Sequence, residues 1–279
     1  MIQFAEYAER PAYDMIAQAY SGIVSITGPE DGPPCRVGSS IGDIVAGHQT
    51  AISNCPALWS RGKTGKGQYI DQSMVDGLVY VLENAVVRYT AIGEIPRPLG
   101  TRHPAITPFQ GFQTKDSWII VAIGNDNLWK EFCEAILRPD LAEDPEFETN
   151  GLRTGNVKKL IPILEEIMKT KTTEEWIGIF KRYKLPCSPI NTIKEVVQDP
   201  NINYRRMIAE IDQPGIGKIG IVGSPFRLSE TPGEVYAHAP LLGEHTEEVL
   251  MRILHYPEDK ITELRRNKVI YTQDDFKDK

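Results

Sequence analysis

Residues 93–108 hold four prolines and two glycines, and this stretch limits the possible folds more than any other. Proline has no amide hydrogen, fixes its own φ, and pushes the preceding residue out of the helical region. No helix or central strand can run through such a segment. The chain is therefore read as two parts joined by a linker or domain crossing at Gly93–Pro108. A second break, residues 28–38 (GPEDGPPCRVG), must be a loop.

The N-terminal part reads as helical. Tyr13–Tyr20 predicts a helix with Pro11 near its first turn and Gly22 at its end. A second helix is expected over Ile44–Arg61, with Asp43 at the N-cap behind Gly42. Thr64–Gly67 reads as a tight turn and Gln68–Asp71 as a short strand. A third helix, Ser73–Ile92, follows from the helical spacing of Met74, Leu78, Val81, Leu82, Ala85, Val86 and Tyr89.

Beyond the linker, Trp118–Ile123 predicts a buried strand. Helices are expected near 126–137, 155–169, 173–183 and 192–198. Residues 206–212 and 216–222 read as strands around the Pro214-Gly215 turn. Residues 246–254 predict a helix led by Glu244-His245-Thr246, with Glu247-Glu248 in its first turn. The charged tail after Arg266 is expected to fray. Residues 1–10 offer neither a hydrophobic strand nor a signal peptide.

Composition narrows the function classes. The net charge of −7 supplies no basic excess, which argues against nucleic acid as a partner. Cys35, Cys55, Cys133 and Cys187 form no Cys-x-x-Cys pair, so no metal site is expected. Scattered cysteines suit a reducing cytosol, hence a cytoplasmic location. No apolar run approaches the roughly 18–20 residues of a membrane span.

Two places could carry chemistry. Asp43, in Ser39-Ser40-Ile41-Gly42-Asp43-Ile44-Val45-Ala46-Gly47, sits where a helix dipole keeps a carboxylate ionised. Gly42 and Gly47 would let a bulky substrate approach. A carboxylate that attacks an acyl carbonyl gives an anhydride, a covalent route for exchanging leaving groups. The alternative is a plain helix cap. Tyr13 could donate to a developing oxyanion and Asp14 could orient it or cap the first helix. The alternative is ordinary aromatic packing under a capping acid. Thr64-Gly65-Lys66-Gly67-Gln68 lacks the remaining glycines and the Lys-Ser/Thr ending of a phosphate loop, so it reads as a turn. The five histidines show no metal-ligand spacing, and His48 lies off the Asp43 face of a helix.

Four stretches together resemble the family III CoA-transferases. They are Arg10–Ala19, Gly42–Gly47, Arg61–Met74 and Pro240–Thr246. The likeness extends to Gly100–Pro104 and to Asn125–Trp129. The resemblance implies an α/β fold, with a partial Rossmann-like large domain (residues 1–95 and 220–279) and a smaller α+β domain (96–219). It implies that Asp43 is a nucleophile forming an aspartyl anhydride and then an aspartyl-CoA thioester. Tyr13, Asp14 and Gly42 would then shape the acyl pocket, and Arg10 would contact CoA. Acyl-CoA and a small carboxylic acid are the implied substrates, with no tightly bound cofactor. Racemases of this group carry histidine at the Tyr13 position. A phenol with a pKa near ~10 shuttles protons poorly, so transfer is favoured over racemisation.

The resemblance also implies that a CoA-binding segment lies outside this sequence. Residues 225–255 would then expose apolar surface and call for a partner. Family members are interlaced dimers. The expected assembly is therefore a homodimer, or a complex with a chain that supplies the missing segment. A non-catalytic or split-enzyme subunit is the alternative.

Overall fold

The computed structural model describes residues 8–276. The expectation of no strand over residues 1–10 falls largely on residues 1–7, which lie outside that range. The described chain is mixed α/β and divides into two compact units between Ile190 and Asn191.

The first unit opens with helix α1 (Asp14–Ser21), which Tyr13 precedes as N-cap and a left-handed Gly22 ends. A 3-10 turn over Ile23–Ile26 leads into the Gly/Pro loop. Helix α2 spans Ile41–Thr64, starting earlier and ending later than the sequence predicts. Its N-cap is Ser40, so Asp43 stands inside the first turn and not at the cap. Residues 68–71 form no strand. A strand needs a hydrogen-bonding neighbour, and every ladder among the described residues lies elsewhere.

The third predicted helix is two. Helix α3 (Met74–Tyr80) is capped by the Ser73 side chain, which accepts from the Val75 and Asp76 amides. Helix α4 (Asn84–Ile92) begins after Glu83, whose φ of +46° breaks the helix. Ala17, Val75 and Leu78 form a small core with Ile23, Ile41, Met74 and Val81 against it. Much apolar surface remains uncovered here, including Ile52, Trp59, Val87 and Ile92.

After the linker, strands β1 (Phe109–Gln113) and β2 (Trp118–Ala122) pair antiparallel, Phe109 opposite Ala122. Helices α5 (Asp126–Ala135), α6 (Asp140–Glu143), α7 (Asn150–Gly155), α8 (Val157–Met168) and α9 (Thr173–Arg182) follow. Strand β3 (Cys187–Pro189) then adds to β2, giving the order β1-β2-β3. The predicted 155–169 helix is α8, and the short α7 precedes it across Asn156. Strand β2 alternates instead of being buried throughout: Ile119 and Val121 are buried, while Trp118 is 47% exposed. The helices pack on the face of Phe112, Ile119 and Val121, while Phe109 stacks on His103 and the Gly111 amide donates to Thr101 Oγ1 at 2.8 Å. The larger core joins Phe112, Ile119 and Val121 to Trp129, Phe132, Leu160, Leu164, Trp176 and Phe180.

Cys133 lies in that core, and burial pushes its thiol up to about 12. Only thiolate reacts with alkylating agents. Iodoacetamide at about pH 8 should therefore label the exposed Cys35 and Cys55 and leave Cys133 unmodified until the protein is unfolded. Raising the pH towards 10 should not change this, because the folded thiol stays protonated until about 12. Peptide mass mapping reads the outcome; Cys133 labelling in the folded protein would contradict this packing.

The second unit holds helices α10 (Ile193–Gln198) and α11 (Pro200–Tyr204) and the hairpin β4 (Ile208–Gln213) with β5 (Gly217–Val222). The predicted 246–254 helix is a short α12 (Thr246–Glu248) continued by a π turn over Val249–Ile253. Glu244 folds back instead of leading that helix. It accepts from the Leu241 amide at 2.6 Å and meets His238 Nε2 at 3.0 Å. The Leu241 amide, with His238 beside it, holds the Glu244 carboxyl below the usual range. The tail does not simply fray after α13 (Glu258–Arg266). Thr272 is buried, and its amide donates to Asp275 at 2.7 Å. Gly243 has a φ of +75°, and a Cβ there would lie 2.8 Å from the Thr272 carbonyl carbon. Phe226, Leu228, Tyr236, Leu242 and Ile253 are exposed, in line with the open apolar surface that the resemblance implies for residues 225–255.

Candidate active site

Of the candidate residues, the structure brings Asp14 and Gly42 into contact where α1 meets the start of α2, with Asp43 next in the chain. The first turn of a helix leaves its amides without intrahelical partners. Ser40 makes no side-chain cap here. Asp14 does that work from the neighbouring helix: the Gly42 amide donates to Asp14 Oδ1 at 2.8 Å. The site is buried, with Asp14 at 9% exposure. A hydrogen bond to a charged group contributes about 1.5–3 kcal/mol. Asp14 therefore does not cap α1 or orient Tyr13 by any hydrogen bond; it caps α2.

Close approach requires Gly42. A Cβ there would lie 3.0 Å from Asp14 Oδ1 and 3.2 Å from Leu78 Cδ1. The side chain at 42 is thus excluded by the cap itself. The next residue, Asp43, is exposed, and its side chain makes no hydrogen bond or ion pair with any described residue. It keeps the favourable position near the positive end of a 24-residue helix. Its carboxylate is available to an incoming group because the backbone is already satisfied by another.

Tyr13 is 84% exposed, and its carbonyl accepts the Ile16 and Ala17 amides. Its phenol is open to solvent beside Asp14 in the chain. Arg10 is exposed in the segment leading to α1. His48 is exposed further along α2. Lys66 follows the left-handed Gly65 that closes α2, where the Gly65 amide donates to the Arg61 carbonyl at 2.8 Å. Among the described residues no group of three or more His, Cys, Asp or Glu is placed to hold a metal. No described helix is long and apolar enough to cross a membrane.

Sequence reasoning missed Gln18. It is fully buried and donates to Asp14 Oδ2 at 2.7 Å. The signal was present: Asp14 and Gln18 are four apart and share the helix face of the buried Ala17 and Ser21.

The model described as CoA-transferase family III matches residues 3–246. The succinyl-CoA:mesaconate CoA-transferase of Haloarcula marismortui is 36% identical over 242 residues, covering 86% of this chain and 60% of that protein. The succinyl-CoA:glutarate CoA-transferase of Homo sapiens is 34% identical over 262 residues, covering 94% of this chain and 60% of that protein. The crystal structure of a CAIB/BAIF family protein from Brucella suis superposes with a TM-score of 0.76 at 32% identity, over 90% of this chain and 65% of that one. The chain spans about 60% of the length of these curated relatives.

Proposed function

This chain belongs to CoA-transferase family III, and we propose that it moves CoA between an acyl-CoA and a small carboxylic acid with Asp43 as nucleophile. One observation carries the reading. The carboxylate that caps α2 is Asp14, so Asp43 has no structural task and stands free in the first turn.

The chemistry follows from a free carboxylate. An Asp43 oxygen attacks the thioester carbonyl, the C–S bond breaks, and CoA leaves as thiolate. The product is a mixed anhydride. The thiolate then attacks the Asp43 carbonyl of that anhydride and releases the donor acid. This leaves an aspartyl-CoA thioester. The acceptor carboxylate attacks that thioester carbonyl, the C–S bond breaks, and a second mixed anhydride forms as the thiolate leaves. The thiolate then attacks the acceptor acyl carbonyl, giving the new acyl-CoA and freeing the Asp43 carboxylate. The exposed phenol of Tyr13, the residue before the capping Asp14 in the chain, is assigned a hydrogen bond to the acyl oxygen. Arg10 is assigned to CoA. Tyrosine at 13 supports transfer over racemisation. The domain division from the resemblance, 1–95 with 220–279 against 96–219, is proposed for the assembled enzyme.

Hydroxylamine added during turnover tests this directly. Anhydride and thioester at Asp43 are both cleaved by it, so peptide mapping should find the hydroxamate at Asp43 only when acyl-CoA is present. Modification elsewhere, or none, would remove the nucleophile.

A second reading is a subunit that needs a partner chain. The exposed Ile52, Trp59, Val87 and Ile92 favour it, because apolar surface of this extent marks interaction sites. Mass measurement in solution, with and without CoA, separates the two. CoA binding by the chain alone supports a self-sufficient transferase; purification only with a second chain supports the subunit.

A further inference from the structure

Asp14 is itself held in place, and the side chain that holds it reaches a second piece of backbone. Gln18 Nε2 donates to Asp14 Oδ2 at 2.7 Å, and Gln18 Oε1 accepts the Val37 amide at 2.9 Å. With the Gly42 amide on Asp14 Oδ1 at 2.8 Å, three hydrogen bonds run from Val37 through Gln18 and Asp14 to Gly42. The two ends are backbone amides, one near the end of the Gly/Pro loop and one in the first turn of α2. Between them the Ile41 amide donates to the Ser39 carbonyl at 2.8 Å.

The donors and acceptors fit in one way only. An ionised carboxylate accepts and does not donate, so the nitrogen of Gln18 must face Asp14. A backbone amide donates, so the oxygen must face Val37. Glutamate would set a second carboxylate against Asp14. Leucine would bond to neither and would leave the half-buried Val37 amide and a buried Asp14 carboxylate oxygen without this partner. Gln18 is fully buried, so water does not replace what it loses.

We infer that Gln18 is a positioning residue for Asp43: it fixes residues 37–42 as one unit and thereby sets where the adjoining Asp43 carboxylate stands. This rests on the reading of Asp43 as nucleophile. A displacement of about 1 Å in a reacting group can cost on the order of 10²-fold in rate. The expected effect falls on the chemical step, because Gln18 is buried and touches no substrate.

The test uses Gln18→Leu and the isosteric Gln18→Glu in the full chain, in whatever assembly turns over. Amide hydrogen exchange followed by NMR needs no activity. The Val37 and Gly42 amides should exchange at least about tenfold faster in Gln18→Leu, with the Leu78 and Phe180 amides unchanged. In both variants kcat should fall about 10- to 100-fold while KM stays within about twofold. Unchanged exchange at Gly42, or unchanged kcat, would overturn the proposal. Loss of protection throughout the core in both variants would replace it with a purely structural role. If the wild-type chain is never trapped at Asp43, the nucleophile reading fails and the positioning role falls with it. Trapping in the wild type with variants that behave identically would overturn the positioning role alone.

Discussion

Changing Asp43 to asparagine should abolish CoA exchange and leave the fold unchanged. Asparagine keeps the size of the side chain but has no anionic oxygen to attack a thioester. Removal of a covalent nucleophile costs on the order of 10³-fold or more in kcat. The stability change should stay within about 0.5 kcal/mol, since the side chain is exposed and unpartnered. Asp14→Ala should give the opposite signature. It strips the cap from Gly42 and leaves Gln18 without its acceptor, so stability falls together with activity. Activity assays paired with urea unfolding separate the two. An Asp43→Asn protein that exchanges CoA at the wild-type rate would end the covalent mechanism.

The largest stability effect is expected far from this site, at Arg153. The side chain is fully buried. Its Nε donates to the Thr107 carbonyl at 2.7 Å, and Nη1 donates to the Phe147 and Glu148 carbonyls at 3.0 and 3.2 Å. Nη2 pairs with Asp126 at 2.8 Å, and the guanidinium lies 5.0 Å from the Trp129 ring centroid. Arg153→Ala would leave three carbonyls and a carboxylate without this donor and open a void under Trp129. Asp126 is 50% exposed and keeps water as a partner, so the loss rests on the void and on the three carbonyls, at about 1–3 kcal/mol for each buried group left unsatisfied. Against a domain stability of about 5–15 kcal/mol, that is a large share. Arg153→Lys should not rescue it, because a single ammonium cannot reach donors' positions fixed by a planar fork. Urea midpoints for the three proteins measure this. A loss under about 1 kcal/mol would mean that the network is not structural.

How legible these features were depends on the range of the interaction that makes them. Helix α1 was readable because Tyr13, the apolar spacing and Gly22 all lie within one local window. The break over residues 93–108, which forms no helix or strand, was readable because proline acts on its own backbone. The split between α3 and α4 was not. The apolar period runs through Val81, Leu82 and Ala85 without interruption, so no residue there marks a break. Strand β1 was missed because Phe109–Gln113 lacks the β-branched composition of a strand and is set by its pairing with β2. At the candidate site the residue types were legible and their roles were not. Asp43 looked like a cap because a carboxylate behind a glycine at a helix start usually is one. Only a contact across the fold reassigns that task to Asp14.

The trans cap has a consequence for transplanting this motif. The Gly42 amide is satisfied from 28 residues away in sequence. A peptide copied from α2 alone would carry the aspartate and both flanking glycines, yet its first turn would fray, since the amides there have no intrahelical partners and the cap would be gone. Grafting the segment onto another helical scaffold would meet the same obstacle. The geometry that holds Asp43 belongs to two helices and a loop, and a designer who wished to reuse it would have to move Asp14, Gln18 and Val37 along with it.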